Sequence, residues 1–302
     1  MSARKTADTT VVGIVGLGIM GSAYGENLCK AGWRVIGFDV AQAQLDRLSA
    51  YGGEPRPSPR AVAEEADVIL TALPSVAALE AAVDGPDGIA GGVRPGTVVA
   101  EMGTLPLEAK EAVRARLTEA GAEVLDCPVS GTGAQAAVGD LVIYASGEEA
   151  AIERIRPVFA GFSRETRYAG PFGHGMKLKY VANLLVTIHN LAAAEALLFA
   201  ERSGLDLRLV FEAISAGAGT SRMFEVRAPL MIEGRYEPAT MKMDVYQKDL
   251  DLIMQHARDI HCPVPLMAAS LPYYFAALAE GRDKEDTAAL VAVLKGMTTP
   301  KV

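Results

Sequence analysis

The feature that most constrains this chain is a run of apolar, mostly β-branched residues, Val11 to Val15. It passes without a break into Gly16-Leu17-Gly18-Ile19-Met20-Gly21 and then into a helical pattern. A strand, a turn with glycine at its first, third and sixth positions, and a helix have few structural solutions. The first glycine permits a tight turn, the second lets the backbone approach a ligand, and the third lets helix and strand pack closely. The helix N-terminus then presents unpaired N–H groups and a positive dipole end, which favour a phosphate.

The next strand-like run, Val35 to Phe38, is followed at once by Asp39, about twenty residues after the glycines, where a carboxylate meets the ribose hydroxyls of a dinucleotide. Val40, Ala41 and Gln42 follow Asp39, and the first Arg beyond it is Arg47, so a 2′-phosphate finds repulsion rather than a partner. The expected cofactor is NAD, with NADP disfavoured, bound by Gly16, Leu17, Gly18, Ile19, Met20, Gly21 and Asp39.

Further strand-like runs, Val68 to Leu73, Thr97 to Glu101, Glu123 to Asp126 and Leu141 to Ala145, alternate with helical patterns. Among these are Ala23 to Ala31, stopped by Gly32, and Glu108 to Ala120, stopped by Gly121. The alternation predicts an α/β, doubly wound parallel sheet of Rossmann type over residues 1–172. Beyond about Gly173, Ala, Leu and Met recur at helical spacing, which predicts an all-helical second domain over residues 173–302 for substrate binding and dimerisation. Its helices are expected over Met176 to Ser203, closed by Gly204, and over Leu207 to Ser215, Ser221 to Glu233, Met243 to Ile260, Val264 to Ala279 and Asp286 to Gly296. The first is long enough to act as a spine linking the domains.

The 302 residues carry a formal net charge of -8, which argues against a nucleic-acid partner. Three cysteines, Cys29, Cys127 and Cys262, lie far apart without metal-ligand spacing, so free thiols, a reducing compartment and no metal are expected. Residues Met1 to Thr10 lack the apolar stretch of a secretory leader, and the expected location is the cytoplasm. Val181 to Ala200 is apolar but includes Asn183, His189, Asn190 and Glu195, each costly in hydrocarbon, so a buried helix is expected there rather than a membrane span.

Four blocks together resemble one family: GLGIMG, DCPVSGTGAQAAVGDL from Asp126, GHGMKLKYVANLL from Gly173, and QKDLDL from Gln247. The chain resembles the β-hydroxyacid dehydrogenases, which include 3-hydroxyisobutyrate dehydrogenase, tartronate semialdehyde reductase and threonate dehydrogenase-like enzymes. 6-Phosphogluconate dehydrogenase is similar but its chains are longer. The resemblance implies hydride transfer between a nicotinamide and a small 2- or 3-hydroxy acid, or the matching semialdehyde. It implies Lys179 as general acid/base, Asn183 beside it, and a substrate-carboxylate loop at Ser130, Gly131 and Thr132. Leu73, Pro74, Thr104 and Lys248 are implied on the cofactor side, with Asp249 orienting that region, in a homodimer or homotetramer.

Helix geometry supports Lys179 independently, because residues four apart lie about 40° from one another, whereas Lys177 and Lys179 lie about 200° apart. Only Lys179 shares a face with Asn183. Glu101, Gly103 and Thr132 depart from the family's usual Asp, Ser and Gly. The segment Thr220 to Arg227, with Arg222 and Phe224, is a further candidate for shaping selectivity. The competing readings are an imine reductase of related architecture and a non-catalytic NAD-binding protein.

Overall fold

A computed structural model describes residues 10 to 298; the expectation made for Met1 to Thr10 falls, but for Thr10, outside the described residues. Six strands, β1 (Val11–Val15), β2 (Arg34–Phe38), β3 (Glu54–Pro55), β4 (Val68–Thr71), β5 (Val98–Glu101) and β6 (Glu123–Asp126), form one sheet in the order β3-β2-β1-β4-β5-β6. Every pairing in it is parallel. The order reverses between β1 and β4, where open α/β sheets place their ligand crevice, at the carboxyl ends of the strands.

Helices α1 (Ile19–Lys30), α2 (Gln42–Ala50), α3 (Pro59–Glu65), α4 (Val76–Asp84), α5 (Leu107–Glu119), α6 (Gly133–Ala137) and α7 (Glu149–Ala160) accompany these strands. Because both faces of the sheet are covered, successive strand residues feed different cores. Val12, Ile14, Val68 and Leu70 join one apolar cluster, while Val15 and Ile69 join the other. On the second face α3 lies so close to β1 that a Cβ at Gly13 would stand 2.5 Å from Val62 Cγ1 and 2.9 Å from Ala66 Cβ. Serines cap two of these helices: Ser58 accepts from the Ala61 N–H ahead of Pro59, and Ser75 from the Ala78 N–H. Gly32 and Gly121 end α1 and α5 with φ of +86° and +98°.

The expected strand Leu141 to Ala145 forms over Val142–Ala145 as β8, but outside the parallel sheet. It pairs antiparallel with β7 (Val129–Ser130) and parallel with β9 (Glu165–Tyr168) in a separate three-stranded sheet. Pro128, which has no N–H to give a ladder, stands where β6 would continue, and its carbonyl instead accepts from Tyr144 N at 2.9 Å. Glu54–Pro55 forms β3, a two-residue edge strand on which a proline is tolerated.

The remaining helices are α8 (His174–Arg202), α9 (Leu207–Ser215), α10 (Arg222–Glu233), α11 (Met243–Asp259), α12 (Pro265–Ala279) and α13 (Leu290–Gly296), the last preceded by a 3₁₀ turn at Thr287–Ala289. Contacts separate two compact units, Met1–Lys179 and Tyr180–Val302, and the division falls inside α8. Within the second unit the core is built from Leu191, Leu197, Tyr246, Leu250, Ile253, Tyr274 and Leu290. By length and hydropathy α8 alone among the described helices meets the requirement for crossing a membrane. Its buried polar side chains are nevertheless engaged by neighbouring helices: Asn183 with Asp249, Thr187 with Tyr246, and Asn190 with Tyr274.

Candidate active site

The glycine turn begins with Gly16, whose φ of +93° only glycine adopts freely. A Cβ there would also meet Ala72 O at 2.6 Å and Leu73 Cδ2 at 2.9 Å, so Leu73 backs the turn, while Pro74 beyond it is exposed. At Gly21 a Cβ would collide with the carbonyl of Gly16, whereas at Gly18 it would meet nothing within 4 Å. The fingerprint thus closes the strand–helix packing at one glycine and leaves open space at another. Gly18 is the N-cap of α1, which has no side-chain cap and no acid in its first turn. Uncapped N–H groups beside open space are what a pyrophosphate requires, and the site fits a dinucleotide. Ile19 is 74% exposed and Met20 is half-buried.

Asp39, just past β2, accepts from Leu17 N through Oδ2 at 2.7 Å and from Ala41 N through Oδ1 at 2.8 Å. Its charge is therefore pinned to the glycine turn itself.

The loop at Ser130, Gly131 and Thr132 is brought beside that turn: Ile19 Cγ2 lies 2.7 Å from where a Cβ on Gly133 would be, and Asn27 Nδ2 donates to Ala136 O at 2.9 Å. Gly131 has φ of +140°. The Thr132 N–H donates to Gln135 Oε1 at 3.0 Å, and its hydroxyl lies 3.4 Å from the same oxygen. Ser130 is half-buried and Gly131 exposed. Thr104 is half-buried on the exit from β5, next to Gly103, whose N–H donates to Glu101 Oε1 at 2.8 Å.

On α8, Lys177 is exposed, Lys179 half-buried and Asn183 buried, so exposure changes around the helix as the spacing requires. Asn183 Nδ2 donates to Asp249 Oδ2 on α11 at 2.8 Å. One turn along, the Asn183 carbonyl accepts from Thr187 Oγ1 at 2.8 Å and from Tyr246 OH at 3.0 Å. Burial, then the nearby Tyr274, pushes the Tyr246 phenol well above its ordinary range, so it serves only as a neutral hydrogen-bonding group. Lys248, adjacent to Asp249, is half-buried on α11. Phe224 faces the core, its ring 5.9 Å from that of Phe211, and Arg222 pairs with Glu225 at 3.1 Å.

A group the sequence did not disclose lies under the first unit's strand ends. Lys110 on α5, wholly buried, contacts both Glu101 and Asp126. Burial penalises the Lys110 ammonium, but the two carboxylates outweigh it and raise its pKa, while burial raises that of Glu101 against the pull of Lys110. The available signal was two acids, each closing a strand directly after apolar residues. No spacing rule pointed to Lys110 as their partner.

A six-stranded parallel sheet with a glycine turn at its switch point, followed by a helical unit, is the architecture of a dinucleotide-binding protein. Residues 11–170 match the NAD-binding domain of 6-phosphogluconate dehydrogenase, and residues 173–294 match the domain described as NAD-binding of NADP-dependent 3-hydroxyisobutyrate dehydrogenase. The chain is 34% identical to an L-threonate dehydrogenase from Cupriavidus necator over 96% of its own length and 97% of the relative's. It is 31% identical to a 2-hydroxy-3-oxopropionate reductase from Escherichia coli, over 96% and 99%. A crystal structure of 3-hydroxyisobutyrate dehydrogenase from Salmonella typhimurium superposes with a TM-score of 0.82 at 31% identity, over 94% of this chain and 99% of that one. The chain belongs to the β-hydroxyacid dehydrogenase family.

Proposed function

We propose that this protein interconverts a small 2- or 3-hydroxy acid and its carbonyl counterpart, with Lys179 as general acid/base and NAD preferred over NADP. One observation carries the reading: Lys179 lies a single helical turn from a buried Asn183 whose amide is fixed by Asp249. When bound, the nicotinamide supplies the hydride acceptor or donor. The chain supplies the proton transfer and the orientation. In the oxidising direction the substrate hydroxyl gives its proton to Lys179 Nζ, and in the reducing direction Nζ returns it to the carbonyl oxygen. Asn183 orients that oxygen. Because the Asp249 carboxylate accepts one amide hydrogen of Asn183, the other remains directed by a fixed side chain.

The substrate carboxylate is held by the Ser130 hydroxyl and the Gly131 N–H, with Thr132 shaping the loop through Gln135 rather than lending its own N–H. Leu73, Pro74, Thr104 and Lys248 are assigned to the cofactor side. The pinned Asp39 carboxylate supports NAD, since a 2′-phosphate would face a fixed negative charge. Substrates of the threonate, 3-hydroxyisobutyrate and glycerate type fit this chemistry. The unpaired Cys29, Cys127 and Cys262 support a cytoplasmic location. Exposed Phe199, Leu266 and Phe275 support a homo-oligomer formed through the helical unit, which light scattering on the purified protein tests.

The deciding assay follows reduced-nicotinamide absorbance with a panel of hydroxy acids and NAD, then with semialdehydes and NADH. Lys179→Ala should lower turnover by about 10²- to 10⁴-fold while dinucleotide affinity stays within a few-fold. Turnover near that of the unaltered enzyme would remove Lys179 from the mechanism.

A further inference from the structure

Three charged side chains buried together in the first unit take no part in the chemistry above. Lys110 Nζ stands 2.6 Å from Glu101 Oε2 and 2.7 Å from Asp126 Oδ1, and all three side chains are at most 3% exposed. Glu101 and Asp126 are register partners at the ends of β5 and β6. Side by side in a dry interior, two carboxylates would repel and each would lack solvation; the single ammonium between them makes the arrangement tolerable. The network continues into the backbone through the remaining oxygens. Glu101 Oε1 accepts from Gly103 N at 2.8 Å. Asp126 Oδ2 accepts from Met176 N at 2.8 Å and lies 3.1 Å from the Ser146 hydroxyl, whose oxygen accepts from Gly175 N at 2.9 Å.

Gly175 and Met176 belong to the first turn of α8, where N–H groups have no partner within the helix. Here a carboxylate from the end of β6 and a hydroxyl just past β8 satisfy two of them. A Cβ on Gly175 would collide with Tyr144 O and stand 2.7 Å from Asp126 O, so this turn is pressed directly onto the strand ends. Lys179 follows Gly175 by one turn, about 6 Å along the helix axis.

We propose that the Glu101–Lys110–Asp126 cluster, acting through Ser146, is the positioning element of the reaction. It fixes the first turn of α8 and hence the place from which Lys179 projects, and it fixes the β5 exit that carries Thr104. These are positioning residues, not catalytic ones, and the inference rests on Lys179 being the acid/base. It also accounts for two departures from the family pattern. The longer Glu101 reaches Lys110 while still accepting from the backbone, and Gly103 leaves room for it, since a Cβ there would lie 2.7 Å from Glu101 Oε1. A displacement of about 1 Å at a reacting group lowers rate by about 10²-fold, so a network this close to the root of Lys179 controls turnover without touching substrate.

The test compares the unaltered enzyme with Ser146→Ala and with the double variant Lys110→Met/Glu101→Gln. Ser146→Ala removes one anchor but keeps the ion cluster, and the double variant removes the cation together with one of its carboxylates. Each is measured for thermal midpoint, NAD affinity by calorimetry, kcat and KM with the best hydroxy acid, and amide exchange at Gly175 and Met176. The expected result for Ser146→Ala is a folded protein with NAD affinity within about twofold and KM within a few-fold. Its kcat falls by about 10- to 100-fold, and exchange quickens at the start of α8. A purely structural role would lower the thermal midpoint and leave kcat per folded molecule unchanged, and that outcome overturns the proposal. Lys179→Ala separates the two levels. If it retains turnover, the acid/base reading fails and takes this inference with it; if it is inactive while Ser146→Ala and the double variant keep full kcat, only the positioning role is refuted.

Discussion

Two glycines three residues apart perform opposite tasks. Gly21 is there for packing, because any side chain would strike the Gly16 carbonyl, whereas Gly18 borders the open space proposed above for the dinucleotide. Gly21→Ala should therefore destabilise the fold by about 1–3 kcal/mol, the usual scale of overpacking, visible as a lowered thermal midpoint. Gly18→Ala should melt like the unaltered protein and bind NAD at least tenfold more weakly by calorimetry; the reverse assignment of effects would contradict the two environments. At Asp39 the carboxylate is held by the Leu17 and Ala41 amides, so its charge cannot swing away from a 2′-phosphate. Replacing it by glycine should shift the ratio of kcat/KM for NAD to that for NADP by about tenfold towards NADP, equivalent to about 1.4 kcal/mol. An unchanged ratio would show that discrimination lies elsewhere.

Between elements, ion pairs fasten pieces that sequence patterning leaves loose. β3 is only two residues long, yet Glu54 meets Arg34 at 2.8 Å and Arg56 at 2.9 Å, and Arg56 meets Glu65 at 2.6 Å. Hydrogen bonds from Arg34 and then Arg56 hold the Glu54 carboxyl down at about 2, against an ordinary 4.5. Because the folded-state value is the lower one, this stabilisation is complete above about pH 4.5 and is lost as pH falls towards about 2, where the folded carboxylate finally takes its proton. Glu54→Gln should flatten the acid limb of the stability curve in that window. The difference should shrink in high salt, since the Glu54 side chain is 44% exposed. In the helical unit Arg227, on α10, reaches Asp286 at 2.8 Å in a site almost closed to solvent, and Asp286 also accepts from the N–H groups of Thr240, Met241 and Ala288. Arg227→Met leaves that carboxylate buried without its cation and should cost about 3–5 kcal/mol in urea unfolding, far more than Ser221→Ala at the head of the same helix, about 1 kcal/mol.

For the whole molecule, dinucleotide binding should appear as stability: at a concentration one hundred times its Kd, NAD should add about 2.7 kcal/mol, and NADP at the same concentration clearly less. A larger rise in thermal midpoint with NADP would reverse the cofactor preference. Much of the architecture was legible in the chain itself. The glycine turn, the strand runs of the parallel sheet, the helix ends at Gly32, Gly121 and Gly204, and the boundaries of α9 to α12 to within a residue all follow from local rules of backbone sterics, capping and hydrophobic period. Where the proposed site residues share an element, as Lys179 and Asn183 share α8, their spacing on it follows from the helix period alone. What local rules cannot carry is pairing between distant segments. Nothing in the neighbourhood of Lys110 announces that it will be enclosed between Glu101 and Asp126, that Gln135 will take the Thr132 N–H, or that β8 will leave the parallel sheet for a partner beyond Pro128. Those outcomes were decided by the tertiary structure, because a buried charge or an unpaired backbone group must find its partner wherever the packed chain brings one within reach, irrespective of sequence separation.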